Sequence, residues 1–356
     1  MAKITDVVWD RPPHTAAQHQ MLERYLAAWF PILLQGGFPG VTFFDGFAGP
    51  GEYKRGEEGS PIIALRQILD RPELLRLRKP VRFVFIEAHA GRVEHLRKLI
   101  TSKFPSPDTS ARIIPPYHGR CEELAESVLR DAGAWGQPIF ANLDAWSLDV
   151  PLGLIRRIGR NRASEVLITF PSEWFRRFAR LQETDKGDQW FGSPSWRAVG
   201  QIESTEAKKR FLVDEYRRTL SKAGFPMTLA FEMLDEDGHE IFLIFGTANK
   251  LGLEKMKDAM WKVDPVHGLR FRDPRDPLQS AFAIDDADLF PLLRSLRERL
   301  ADRAPQSVKT LRDFTLLETA YRPPHATTAL RTLRDRSELE LNPPGKLTAA
   351  TSVRLT

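Results

Sequence analysis

The sequence predicts an α/β fold, a doubly wound parallel sheet ending in an antiparallel hairpin, followed by a small helical domain. Three observations carry this. Short apolar runs alternate with helix-spaced segments five times between residues 41 and 181. A glycine-rich stretch, Asp45-Gly46-Phe47-Ala48-Gly49-Pro50-Gly51, follows the first of those runs. Beyond residue 288 the pattern changes to three helices and two short strands.

The elements follow in order. Residues 15–34 carry Met21, Leu22, Tyr25, Leu26, Trp29 and Phe30 at helical spacing. Gly36-Gly37 and Pro39-Gly40 end that helix, and Val41-Thr42-Phe43-Phe44 forms the first strand. After the glycine-rich loop, Ser60 is the expected N-cap and Pro61 the first helical residue of a helix reaching Leu69. Strands are then expected at 81–86, 111–114, 138–143 and 166–170, with helices between them and one at 174–181. All five strands are apolar enough to be buried on both faces. Residues 182–210 interrupt the alternation. They are polar, hold Trp190 and Trp196, and read as an insertion or lid. A helix at 211–223 leads to strands at 227–234 and 240–247, joined by the turn sequence Asp235-Glu236-Asp237-Gly238.

Parallel strands closed by such a hairpin match the Rossmann-like, class I methyltransferase type of sheet. A nicotinamide dehydrogenase sheet more often stays parallel. The expected organisation is a domain over 1–264 with the insertion at 182–210, a linker rich in Pro, Asp and Arg at 265–287, and a domain over 288–356. In the last, helices at 288–302, 308–320 and 325–336, with strands at 338–341 and 352–355, describe a winged helix-turn-helix.

Composition bounds the function. Hydrophobic residues make up 42% of 356, enough for packed cores. No apolar run is long enough to span a membrane, the N-terminus lacks a signal-peptide pattern, and a cytoplasmic protein is expected. A single cysteine, Cys121, excludes a multi-cysteine metal site or an internal disulfide, and it reads as a buried, inert thiol. The net charge is +5, and residues 291–356 alone hold twelve Lys/Arg against seven Asp/Glu. That local excess points weakly to nucleic acid.

The glycine-rich loop is the main chemical signal. Nucleotide-type cofactors bind at the carboxyl ends of the first strands of such sheets, where glycines let the backbone approach the ligand. Asp45, at the start of the loop, is placed for the amino-acid end of S-adenosylmethionine. Glu87, ending the second strand, is placed for the ribose hydroxyls. Gly46, Phe47, Ala48, Gly49 and Gly51 would line the cofactor. No Gly-Lys-Ser/Thr follows, so the loop is not a Walker phosphate site.

The fourth strand ends in Asn142-Leu143-Asp144-Ala145-Trp146. Amino-methyltransferases of nucleic acids carry a polar-Pro-Pro-aromatic sequence there. Here Asn142, Asp144 and Trp146 are the candidate catalytic residues: Asp144 to accept a substrate N–H, Trp146 to stack on a base. An aspartate capping the next helix and a tryptophan in the core is the alternative. His14 and His19 suit a structural or cofactor-covering role. Asp144 and Asp149 are too few carboxylates for a nuclease metal site. In the C-terminal domain, Arg331, Arg334 and Arg336 fall on or near the recognition helix and Lys346 at the wing tip, positions that meet DNA in winged helices.

Three motifs resemble the bacterial three-Cys-motif partner family. They are Pro-His-Thr-Ala-Ala-Gln-His-Gln-Met-Leu-Glu-Arg-Tyr-Leu over residues 13–26, Phe44-Asp45-Gly46-Phe47-Ala48-Gly49-Pro50-Gly51 continued by Gly59-Ser60-Pro61-Ile62-Ile63-Ala64-Leu65, and Glu254-Lys255-Met256-Lys257-Asp258-Ala259-Met260-Trp261. The resemblance implies a Rossmann-like, methyltransferase-like fold and a companion protein bearing three cysteines in radical-SAM style. That companion resembles enzymes acting on DNA photolesions, a DNA setting. The family pattern Asp-Pro-Phe-Gly on the fourth strand is replaced here by Asp144-Ala145-Trp146-Ser147. Two functions are therefore expected: an S-adenosylmethionine-dependent methyltransferase acting on nucleic acid, or a non-catalytic nucleotide- or DNA-binding partner of the radical enzyme.

Overall fold

The computed structural model describes residues 6–105, 111–145, 149–179, 185–234, 240–268, 270–272, 287–301 and 304–356. The chain opens with α1 (Pro13–Gln35), β1 (Val41–Asp45), α2 (Ser60–Leu69), the short α3 (Pro72–Leu75), β2 (Val81–Glu87) and α4 (Ala90–Lys103). Then come β3 (Ala111–Ile113), β4 (Tyr117–His118), α5 (Cys121–Asp131), β5 (Ile139–Leu143), α6 (Leu152–Arg160), β6 (Glu165–Phe170) and α7 (Ser172–Phe178). They are followed by α8 (Asp185–Phe191), a 3-10 helix (Pro194–Gln201), α9 (Thr205–Lys222), β7 (Met227–Leu234), β8 (Glu240–Thr247), α10 (Lys250–Val263) and β9 (Arg270–Arg272).

The sheet order is β3-β2-β1-β5-β6-β8-β7-β9, with β4 beside β2. Strands β1, β2, β3, β5 and β6 are mutually parallel, and β8 runs antiparallel to both β6 and β7. This is the expected doubly wound sheet with its closing hairpin; the turn residues Asp235-Glu236-Asp237-Gly238 lie outside the described residues. Strands β1, β5 and β6 are buried along their length, and β2 and β8 nearly so, because helices cover both faces; β3, at the sheet edge, is not buried throughout, contrary to expectation. On one side Leu26, Phe30, Ile62, Leu65, Leu96 and Met256 from α1, α2, α4 and α10 pack on Phe43, Phe83 and Phe140. On the other, Leu129, Ile155, Ile158, Leu212 and Tyr216 pack on Val84, Ile168 and Phe170.

Four further expectations are corrected. The N-cap of α2 is Gly59, and Ser60 is its first helical residue, which frees the Ser60 hydroxyl for another use. Residues 182–210, expected as a polar insertion or lid, bury their tryptophans: Trp190 and Trp196 are 2% and 0% exposed, in ring contact with Phe170, Phe175, Phe191 and Tyr216. The span 265–287 is not all linker, because β9 adds a parallel strand to β7 and Arg270 pairs with Glu232 at 2.6 Å. The last sheet has a third strand besides the expected two.

That C-terminal unit comprises α11 (Phe290–Leu300), β10 (Gln306–Ser307), α12 (Val308–Glu318), α13 (Pro323–Asp335), β11 (Leu339–Asn342) and β12 (Ser352–Leu355), in the sheet order β10-β12-β11. Ser307 caps α12 by accepting the Thr310 N–H. Its core of Leu292, Leu296, Leu311, Leu330, Leu333 and Val353 includes one side chain from the larger domain, Trp261 of α10.

Candidate functional site

Strand order reverses beside β1, which has β2 on one side and β5 on the other. A crevice opens at the carboxyl ends of strands at such a switch point, and the candidate residues converge there. Asp45 ends β1 and is fully buried. Its Oδ1 accepts the Phe47 N–H at 3.1 Å, and its Oδ2 accepts the Ser60 hydroxyl at 2.7 Å and the Asn142 amide at 3.0 Å. Burial pushes the Asp45 carboxyl up to about 6, against the pull of those three donors.

Glu87 ends β2. Its Oε2 accepts the Gly49 N–H at 3.0 Å and its Oε1 the His89 N–H at 2.7 Å. The loop between the two acids is thus tied to the second one. Gly49, at φ +62°, holds a conformation that side chains rarely adopt. Gly46 is required for another reason: a Cβ there would lie 2.7 Å from the Cys121 sulfur and 3.0 Å from Leu143. Cys121 is buried, and burial pushes its thiol up to about 12, so it serves as packing under the loop.

Asp144 follows β5. The Thr169 hydroxyl donates to its Oδ1, and a Gln18 hydrogen bond and the nearby His14 also favour its charged form, while burial outweighs them and raises its pKa. His14, Gln18, Asp144, Thr169 and Pro171 enclose a cavity of about 40 Å³. Trp146 lies outside the described residues. Asp149 turns to Arg120 and Lys186, at 3.2 and 3.5 Å, so it forms no carboxylate pair with Asp144.

The structure therefore joins Asp45 to Asn142 and Gly49 to Glu87 by direct hydrogen bonds, with Gly46, Phe47, Ala48 and Gly51 in the loop that runs between the two pairs. Asp144 sits one strand away. Sequence reasoning missed the partners that come from before β1. Gln18 and His14 reach Asp144 from α1. The segment ahead of α1 crosses the glycine-rich loop: the Trp9 carbonyl accepts the Lys54 N–H at 3.0 Å, the Trp9 ring meets Tyr53 edge-on at 5.7 Å, and Arg92 lies over it at 4.8 Å. The position of Ser60, just after the loop, was the one available signal for the third donor to Asp45.

The C-terminal candidates do not join this site. Arg331 is exposed on α13; Arg334 pairs with its neighbour Asp335, and Arg336 is the C-cap of the helix. Lys346 is exposed between β11 and β12. The N-terminal end of α13 is occupied elsewhere, since His325 packs against Trp261 at 4.3 Å between ring centroids.

The constellation fits S-adenosylmethionine in kind. Carboxylates end two adjacent parallel strands, and the space above Gly49 is open: a Cβ there would meet nothing nearer than the Trp9 ring at 3.9 Å. Asp45 Oδ1 and each Glu87 oxygen accept one intrachain hydrogen bond and retain a second lone-pair direction, whereas Asp45 Oδ2 already accepts two.

No family model matches the chain, and no curated protein matches it in sequence. Among solved structures, it is similar to Trm1 from Pyrococcus horikoshii in complex with S-adenosyl-L-methionine, at 12% identity and a TM-score of 0.40. That overlay covers 74% of this chain and 62% of the other, so the chain spans less than two thirds of that relative. It is also similar to geranyl diphosphate C-methyltransferase from Streptomyces coelicolor A3(2), bound to Mg2+, geranyl diphosphate and S-adenosyl-L-homocysteine. There the identity is 13% and the TM-score 0.27, over 63% of this chain and 78% of that one. The Rossmann-like assignment rests on strand order and direction. No helix among the described residues is long and apolar enough to cross a membrane.

Proposed function

We propose that the chain is an S-adenosylmethionine-dependent methyltransferase acting on nucleic acid, in association with a three-Cys-motif, radical-SAM-like companion. One observation carries the cofactor reading: Asp45 and Glu87 end neighbouring parallel strands, and the glycine-rich loop between them donates a backbone N–H to each, Phe47 to Asp45 and Gly49 to Glu87. Asp45 and Glu87 would hold the amino-acid and ribose ends of the cofactor, which supplies an electrophilic methyl group. Asp144, oriented by Thr169 and Gln18, accepts an N–H of the substrate amine and holds it in line; Asn142 fixes Asp45. We read the C-terminal unit as a winged helix whose exposed Arg331 and Lys346, with Arg334 and Arg336, meet the phosphate backbone of DNA.

A second reading has its own support. Both Glu87 oxygens already hold backbone N–H groups, and Trp9 lies across the loop, as suits a non-catalytic nucleotide- or DNA-binding partner of the companion.

Calorimetric titration with S-adenosylmethionine tests both. Saturable binding to the wild type, lost in Asp45→Ala and Glu87→Ala, supports the cofactor site, and methyl transfer to DNA or RNA then separates enzyme from partner. A folded wild type that does not bind overturns the methyltransferase reading.

A further inference from the structure

Residues 6–10, ahead of α1, form no helix or strand, yet they are tied along two edges. On one edge lies the chain that continues the glycine-rich loop. The Trp9 carbonyl accepts the Lys54 N–H at 3.0 Å, the Lys54 ammonium stands 3.8 Å from Asp6, and Arg55 stands 3.7 Å from Asp10. On the other edge lies the start of α4. Arg92 donates to the Asp6 carbonyl at 3.2 and 3.4 Å, and a Cβ at Gly91 would lie 3.4 Å from Val7. The loop follows β1 and α4 follows β2, so the segment bridges the ends of the two strands that carry Asp45 and Glu87.

Trp9 is the part of this segment that meets the loop itself. The edge of its ring is 3.9 Å from where a Cβ on Gly49 would sit. Carbons in contact stand about 3.5–4.0 Å apart, so one carbon fits beneath the ring and a nucleoside does not. Gly49 in turn holds Glu87, the carboxylate assigned to the ribose. Arg92 links the two, with its guanidinium over the Trp9 ring at 4.8 Å and 4.0 Å from Glu87 Oε1. A ribose at Glu87 and the segment in its present place therefore draw on the same arginine and on the same space above residue 49.

The segment is lightly held. Both ion pairs are exposed, and pairs of that kind contribute little. The Lys54 hydrogen bond and the Arg92 contacts remain, on a stretch with no regular secondary structure of its own, the kind that opens locally at small cost.

We propose that residues 6–10 are an autoinhibitory strap, which competes with the adenosyl half of S-adenosylmethionine for the space above Gly49 and lifts off the loop when the cofactor binds. This role rests on the cofactor reading of Asp45 and Glu87, and it assigns Trp9 to regulation of that site rather than to its permanent closure.

Calorimetric titration of the full chain and of Trp9→Ala with S-adenosylmethionine tests it, together with hydrogen exchange at the Lys54 amide. Trp9→Ala is expected to bind about tenfold more tightly, which is about 1.4 kcal/mol and the scale of the ring's contacts. In the wild type, saturating S-adenosylmethionine is expected to speed exchange of the Lys54 amide about tenfold, because the Trp9 carbonyl leaves it. Circular dichroism checks that Trp9→Ala is folded, and the exchange measurement needs no variant. Equal or weaker binding by Trp9→Ala overturns the strap and leaves the cofactor reading intact. So does a Lys54 amide that exchanges no faster in the saturated wild type, since the strap then stays closed over the ligand instead of yielding to it. Folded wild type and Trp9→Ala that both fail to bind defeat the cofactor reading, and the strap with it.

Discussion

The Nζ of Lys257 on α10 lies 2.6 Å from the carbonyl oxygen of Leu316 on α12, and it reaches the carbonyls of Thr315, Thr319 and Tyr321 as well. One buried amino group from the larger domain, its pKa lowered by burial to about 7, thus lies among the carbonyls at the end of a helix in the smaller one. Trp261, one turn along, donates to the Ala320 carbonyl at 3.0 Å. The third sequence motif, residues 254–261, is the clamp between the two units.

Replacing Lys257 by Met removes a donor from all four carbonyls, and of these Thr315 alone keeps a side-chain donor among the described residues, the Thr319 hydroxyl at 2.7 Å. The expected cost is about 3 kcal/mol or more. It falls on the contact between the units, so calorimetry should resolve the C-terminal unit melting first. A single unshifted transition contradicts the clamp.

At Gly46 the backbone does not require glycine, but the space does. Gly46→Ala is expected to destabilise by about 1–3 kcal/mol through the Cys121 sulfur. Adding Cys121→Ala should recover much of that loss, so the double variant is more stable than the sum of the singles implies. Strict additivity in urea titrations rules the contact out as the cause.

Glu165 gives a pH signature. Its carboxyl is buried and accepts from the Tyr25 and Thr247 hydroxyls; burial outweighs these donors and lifts it from 4.5 to about 7. An acid with a raised folded-state pKa holds a proton that the unfolded chain has lost. Its contribution therefore falls as pH rises from 4.5 to 7 and stays lost above that. The full effect is roughly 3 kcal/mol. Glu165→Gln should flatten this slope, measured by urea unfolding at several pH values. Parallel slopes for both proteins refute it.

For the proposed reaction, Asp144→Asn should leave S-adenosylmethionine affinity unchanged and slow methyl transfer about 100-fold. Equal loss of cofactor binding moves Asp144 to the cofactor side of the site.

The sheet and the Asp45–Glu87 frame were legible because both rest on local signals: apolar runs, turn residues and a glycine loop at strand ends. The cover of the site was not. Gln18 and His14 meet Asp144 only after α1 folds back across the sheet, and neither carries a local pattern that says so. Trp190 and Trp196 misled for the opposite reason. Their polar flanking sequence suggests a surface lid, yet Trp190 packs on Tyr216 and Trp196 on Phe191 inside one aromatic layer. The motif around Lys257 was visible as a string, but its four partners lie 58 to 64 residues further on.

Helix α1 also sets the order of events during synthesis. Tyr25 bonds to Glu165 across 140 residues of chain, and Phe30 rests on Phe83. At ordinary translation rates of about 5–20 residues per second, this helix emerges seconds before the strands that receive it. Leu22, Tyr25, Leu26, Trp29 and Phe30 must wait with an oily face uncovered, a window in which a nascent chain is open to chaperones and to self-association. A helix made before every strand of the sheet thus completes its contacts only after β6 is made, and the small cavity at Asp144 closes only when it does.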